Sequence, residues 1–305
     1  AKAQGASAWW RENRERVLRF GFWGFLQNQS GLFYGSAPNR LVAAHYLPSV
    51  EVAMFGLADN LINLVRRFMP TQLFIGLIRP VMVARFTAKQ DFSQAAWLAN
   101  LAYRLNLVVL VLGMALMVTV GEPAFDWLTD GKYPYAAWLV AGLLVLMTTE
   151  GMRTMVELMA QAVERNQILF LSNLVQSASL LLAIPLVGLI GLWGLVAANV
   201  VGTVSANIVV IVRLRREGFA FRLNLLRAAM IVAYGIISAV IGWVLVEAGV
   251  HYILVGAIVV ALYGGLCLWK PPLEPDEREV LERVVRRKVK LPQSGRSGDE
   301  GTEAE

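Results

Sequence analysis

Charge and sulfur are what this sequence has least of. Only 16% of its 305 residues are Asp, Glu, Lys or Arg, against about 25% in an ordinary soluble domain. That excludes a water-exposed globular surface. The single cysteine, Cys267, forbids an intrachain disulfide, and the redox compartment stays unspecified. Two histidines, His45 and His251, are too few for a His-based metal centre or catalytic triad. No GxxxxGKS/T phosphate loop, zinc-ligand spacing, nucleophile elbow or DxD pair occurs. No cofactor, metal, catalytic residue or nucleic-acid partner is therefore expected, and direct use of ATP by this chain is unsupported.

What the chain has is apolar length. It is 57% hydrophobic, with a mean hydropathy of +0.55 and several apolar runs near 20 residues long, each enough to cross a bilayer as a helix. The expected fold class is all-α: a polytopic membrane protein with eight transmembrane helices. The spans fall at about 17–46, 50–86, 95–120, 135–162, 167–188, 191–212, 228–247 and 252–269. The first is weak in hydropathy, with four glycines and a polar run, Gln27-Asn28-Gln29-Ser30, that predicts a bent helix with one wet side. Residues 121–134, rich in Gly, Pro, Asp and aromatics, read as an interface loop whose Glu122, Asp126 and Asp130 are solvated. Residues 1–16 form a basic linker, 17–215 a six-helix lobe and 216–270 two extra helices. Residues 271–305 form a tail that begins as an amphipathic helix and ends disordered. The chain starts on Ala rather than Met, from which a longer native polypeptide is expected.

The second span carries the chemistry. Residues 50–86 would run about 54 Å as one helix, yet Arg66 and Arg67 stand near its middle. An arginine at the bilayer centre costs on the order of 2.5–3.5 kcal/mol on insertion scales. Asp59, Asn63 and Arg66/Arg67 share one helical face by their spacing, and Pro70 bends the helix just beyond them. Two readings stand side by side: a cationic face lining a wet cavity and aimed at an anion, or a buried pair neutralised by Asp59 or by an acid from another helix. In the fourth span Glu150, Arg153 and Glu157 also share a face, either as a self-neutralising ladder or lining the same cavity. The candidate substrate contacts are thus Asn28, Asp59, Asn63, Arg66, Arg67, Glu150, Arg153 and Glu157. Arg40 is a further contact or an interfacial anchor.

Twenty-one of the 28 basic residues fall on one side of this topology, in 1–19, Arg85 and Lys89, Arg165, 213–227 and the tail from Lys270. By the positive-inside rule that side is cytoplasmic and holds both termini. The expected location is a bacterial cytoplasmic (inner) membrane. Its lipids are partners, and the tail either holds anionic lipid or is simply solvated. Between Pro185 and Gly194 the close spacing of Gly188, Gly191 and Gly194 predicts a very short turn and close backbone packing.

Several phrases resemble a known family. EVAMFGLADNLINLV, followed by PVMVARF, is similar to the segment after the seventh helix of polysaccharide flippases of the multidrug/oligosaccharidyl-lipid/polysaccharide exporter superfamily. AIPLVGLIGLWGLVAANVVG resembles that family's eleventh-to-twelfth helix junction, carried here by Ile184, Pro185, Gly188, Gly191 and Gly194. The resemblance spans about residues 17–215 and departs at Phe55, and the family's N-terminal six helices are not in this sequence. It implies one lobe of a MATE-like transporter with two additional C-terminal helices. That lobe would pair with an N-terminal six-helix lobe on the same chain or a partner, and flip an undecaprenyl-diphosphate-linked oligosaccharide in polysaccharide biosynthesis. Mid-membrane arginines suit a diphosphate, because guanidinium matches phosphate oxygens bidentately. The alternatives are a drug or cation antiporter or a lipid II flippase of the same superfamily, or a membrane enzyme of glycan assembly.

Overall fold

The computed structural model describes residues 2–70, 92–133, 135–219 and 224–273, and among these every regular element is a helix. The described residues form nine α-helices, in order α1 Lys2–Ser30, α2 Ser36–Tyr46, α3 Ser49–Arg67, α4 Phe92–Thr129, α5 Ala136–Ala162, α6 Asn166–Ile190, α7 Leu192–Arg216, α8 Leu225–Glu247 and α9 Tyr252–Trp269. Six of them, α4 to α9, contain stretches long and apolar enough to cross a membrane. The tail expected after residue 273 and the second half of the 50–86 span lie outside the described residues.

Three expectations are corrected. The first span is not one bent helix: a short 3-10 turn, Gly31–Phe33, separates α1 from α2, and Gly35 sits at φ 101°, a value that side chains resist. At 11 residues α2 reaches about 16 Å, roughly half a bilayer core, while α1 absorbs the basic linker into a continuous helix. The second span does not bend at Pro70; α3 already ends at Arg67, and Met69, the residue before proline, is non-helical. The expected loop at 121–134 is helical as far as Thr129. Pro123 costs α4 one hydrogen bond, but the continuation buries Phe125 in the core. Likewise α6 passes through Pro185, and the turn to α7 is Gly191 alone, at φ 59°.

The helix α5 is the hub. It packs against α4 and α7 and, less extensively, against α3 and α6. The α6–α7 hairpin is the most extensive helix pair among the described residues, and its backbones are close: a side chain on Gly202 would come within 2.3 Å of Ser179 Cβ, and one on Gly194 within 2.4 Å of the Leu186 backbone. Small residues let these helices touch at backbone distance. Gly188, by contrast, faces open space. The α8–α9 hairpin leans on the outer side of α4, with Gly235 against Val111 and Gly242 between Val259 and Thr119. The long basic α1 lies along α6. The largest core cluster joins Phe55, Ala58 and Ile62 of α3 to Leu139, Leu143 and Met147 of α5 and to Leu195 and Ala198 of α7.

Candidate functional site

The apolar face of α3 (Phe55, Ala58, Ile62) docks the helix on α5, and its C-terminal turn then delivers Arg66 to the middle of that neighbour. Arg66 Nη2 donates to Glu150 Oε2 at 2.5 Å. The acid that neutralises Arg66 therefore comes from another helix. Asp59 is engaged elsewhere: Arg40 of α2 reaches its Oδ2 at 2.6 Å through Nη2 and at 3.1 Å through Nε. Arg40 is thus a cross-link between α2 and α3, which the residue spacing had not indicated.

One turn along α5, Arg153 is almost wholly buried, with 6% of its side chain exposed. Glu157 Oε1 lies 2.9 Å from its Nε, close enough for an ion pair but without hydrogen-bond alignment. Its Nη2 donates to Asn173 Oδ1 and to Ser172 Oγ at 3.4 Å, and the guanidinium stands 5.3 Å over the Tyr34 ring. Asn173 in turn donates to the Gln27 carbonyl at 2.8 Å and to Ser30 Oγ at 2.9 Å, while accepting from the Tyr34 hydroxyl at 3.3 Å. Arg153 therefore ties α5 to α6 and to the break between α1 and α2.

The two arginine–glutamate pairs line one cavity of about 250 Å³. Tyr34 and Gly35 bound it on the side of the helix break, Asn106 on α4, Met147 and Thr154 on α5, and Gln176 on α6. Arg153 Nη1 and Gln176 Oε1 are buried there without partners, the first a donor and the second an acceptor. Four formal charges cancel, so the lining carries no net formal charge while still offering two guanidinium groups. Among the described residues Glu150 engages Arg66 through Nη2 alone, so the guanidinium at the half-exposed mouth has further N–H groups to offer an anionic oxygen.

Of the eight expected contacts, Arg66, Glu150, Arg153 and Glu157 come together here. Arg67 is exposed and forms no ion pair among the described residues, Asn63 is half-buried, and Asn28 is exposed. None of these three, nor Asp59, lines the cavity. Tyr34, Asn106, Asn173 and Gln176 were missed. A signal existed for two of them: Asn166, Asn173, Gln176 and Ser179 form a buried polar stripe in the otherwise apolar α6. It meets α7 at Thr203, to whose Oγ1 Gln176 Nε2 donates at 3.2 Å, while Asn199 of that helix pairs with Asn39 on α2 and Asn207 donates to the Thr149 carbonyl on α5.

Six apolar helices, α4 to α9, each long enough to cross a bilayer, mark a membrane-embedded helical protein. Compared with known family profiles, curated proteins and solved structures, the chain matches none.

Proposed function

We propose that this chain is one lobe of a transporter that carries an anionic lipid-linked glycan across a bacterial cytoplasmic membrane. The substrate is an undecaprenyl-diphosphate-linked oligosaccharide in polysaccharide biosynthesis, the polysaccharide-flippase reading that the sequence resemblance implies. One observation carries the proposal: Arg66 and Arg153, each held by a glutamate, face a common cavity between apolar helices. Intramembrane charge is costly, and where it lines a cavity it marks a substrate path by default. The diphosphate would take the place of Glu150 on Arg66, and α1 to α3 would complete an eight-span topology with both termini cytoplasmic. A second lobe, on the same chain or a partner, would close the far wall. The antiporter reading needs a free carboxylate for its cation, whereas both glutamates here already have arginine partners.

The test is glycan export in cells that depend on this protein, with membrane abundance measured in parallel. Arg66→Ala should abolish export at normal abundance, and Arg67→Ala should leave it near wild type. Normal export from Arg66→Ala would refute the assignment.

A further inference from the structure

A second, larger cavity lies far from the first, where α1 crosses the α5–α6 turn. Its volume is about 510 Å³. Glu12, Glu15, Arg16, Arg19 and Trp23 recur at spacings of three and four along α1, so one stripe of that helix faces the cavity. The opposite wall is Glu164 and Arg165, with Phe219 closing the end. Two ion pairs build the frame. Arg16 chelates Glu164, its Nε at 2.6 Å from Oε2, and Arg165 Nε meets Glu217 Oε2 at 2.7 Å. Glu164 holds a left-handed backbone, φ 59°, to present its carboxylate to α1.

The frame consumes Arg16, Glu164 and Arg165. Left over on the α1 wall are Arg19 and the two acids Glu12 and Glu15, none of them ion-paired among the described residues. A ligand satisfying that set must carry one anionic and one cationic group. A simple anion would meet two carboxylates for a single free guanidinium. Arg11 and Arg14 do not line the cavity; Arg14 borders a neighbouring surface hollow that it shares with Glu15, Arg19 and Phe22.

Position identifies the source of such a zwitterion. The paired residues gather the first half of α1, the α5–α6 turn and the end of α7 at one end of the helices, the end that carries most of the described basic residues. Trp23 borders the cavity and packs on Phe170 with ring centroids 5.8 Å apart, while Phe22 and Phe25 beside it are 58% and 60% exposed. Indole rings are favoured at the headgroup level of a bilayer. We infer that this cavity binds the headgroup of a zwitterionic aminophospholipid, its phosphate on Arg19 and its ammonium on Glu12 and Glu15. The acyl chains then run down the apolar surface below Trp23. This site is independent of the transport reading.

Native mass spectrometry of the full chain in detergent tests it, with phosphatidylethanolamine and phosphatidylglycerol titrated separately. The first phosphatidylethanolamine should bind about ten-fold tighter than the first phosphatidylglycerol, the worth of one charge-assisted hydrogen bond. Arg19→Ala should weaken both lipids by a similar factor. The pair Glu12→Gln with Glu15→Gln should weaken phosphatidylethanolamine, strengthen phosphatidylglycerol and so remove the preference. All three positions are exposed and outside the framing pairs, so the fold is retained. Equal affinities in the wild type, or a preference that survives the double substitution, overturns the site. Full displacement by soluble phosphoethanolamine at equal concentration overturns the lipid as its occupant.

Discussion

Removing the acid partner of Arg153 should cost far more than removing that of Arg16. In Glu157→Ala the guanidinium keeps its bonds to Ser172 and Asn173 and its place over the Tyr34 ring, but its countercharge is gone from a site only 6% exposed. Breaking a buried pair on one side costs about 3–5 kcal/mol, because the surviving charge stays desolvated. The retained bonds, and the 25% exposure of Glu157, place the expected loss near the lower bound, about 3 kcal/mol. At roughly 2 °C per kcal/mol for a chain of this size, that lowers the midpoint of thermal unfolding by about 6 °C. Tryptophan fluorescence of the purified protein in detergent reads it. Glu164→Ala is the control: its pair with Arg16 is exposed on both sides and should leave the midpoint unchanged. The double variant Arg153→Met with Glu157→Leu should recover most of the loss, since apolar replacement of a whole buried pair is near neutral. A midpoint in Glu157→Ala no lower than in Glu164→Ala would refute the reasoning, as would a double variant less stable than the single one.

Two packing predictions share the same assay. Asn39 and Asn199 exchange two amide hydrogen bonds, at 3.1 and 3.0 Å, in a buried site between α2 and α7. Asn39→Ala strands the Asn199 oxygen and should cost about 1–3 kcal/mol. Gly202→Ala forces a methyl to within 2.3 Å of Ser179 Cβ and must spread α6 from α7, a cost of about 1–3 kcal/mol for overpacking. In the same hairpin Gly188→Ala meets nothing within 4 Å and should be neutral or stabilising. Equal effects at the two glycines would mean that the backbone contact is not what holds the hairpin.

Helix class and the apolar spans were legible because hydropathy is a local property summed over about 20 residues. The pairing of the charges was not. Asp59 lies seven residues before Arg66 on the same face, so spacing offered it as the countercharge, yet it turns to Arg40 on α2 while Arg66 crosses to Glu150. Periodicity reports which residues share a face, not which face meets which. The break at Gly35 was visible as a cluster of glycines and polar residues but not as a cavity wall, since that depends on Tyr34 reaching Arg153 more than a hundred positions away. The overrun of α4 past Pro123 had the same origin. A helix-breaking residue is overridden when continuing the helix buries a phenylalanine.

Helices are fastened here in two different ways, and the division follows their hydropathy. In a bilayer the apolar effect does little to bring helices together, so small-residue contacts and polar links must do it. The strongly apolar α8–α9 hairpin uses the first device: Gly235 admits Val111, and Gly242 admits Val259 and Thr119. The segments α1 to α3 are shorter or more polar and are fastened by the second, through Arg40 to Asp59, Arg66 to Glu150, and Asn173 to Ser30 and the Gln27 carbonyl. Glycine contacts are indifferent to charge and to ligands. Ion pairs and amide bonds can be traded for bonds to a substrate at little net cost, because they exchange one charged partner for another. Of these links, Arg66 to Glu150 lies in the charged cavity, so an anion there competes with the attachment of α3 to α5, whereas the glycine-packed α8–α9 hairpin is held by contacts that it cannot touch.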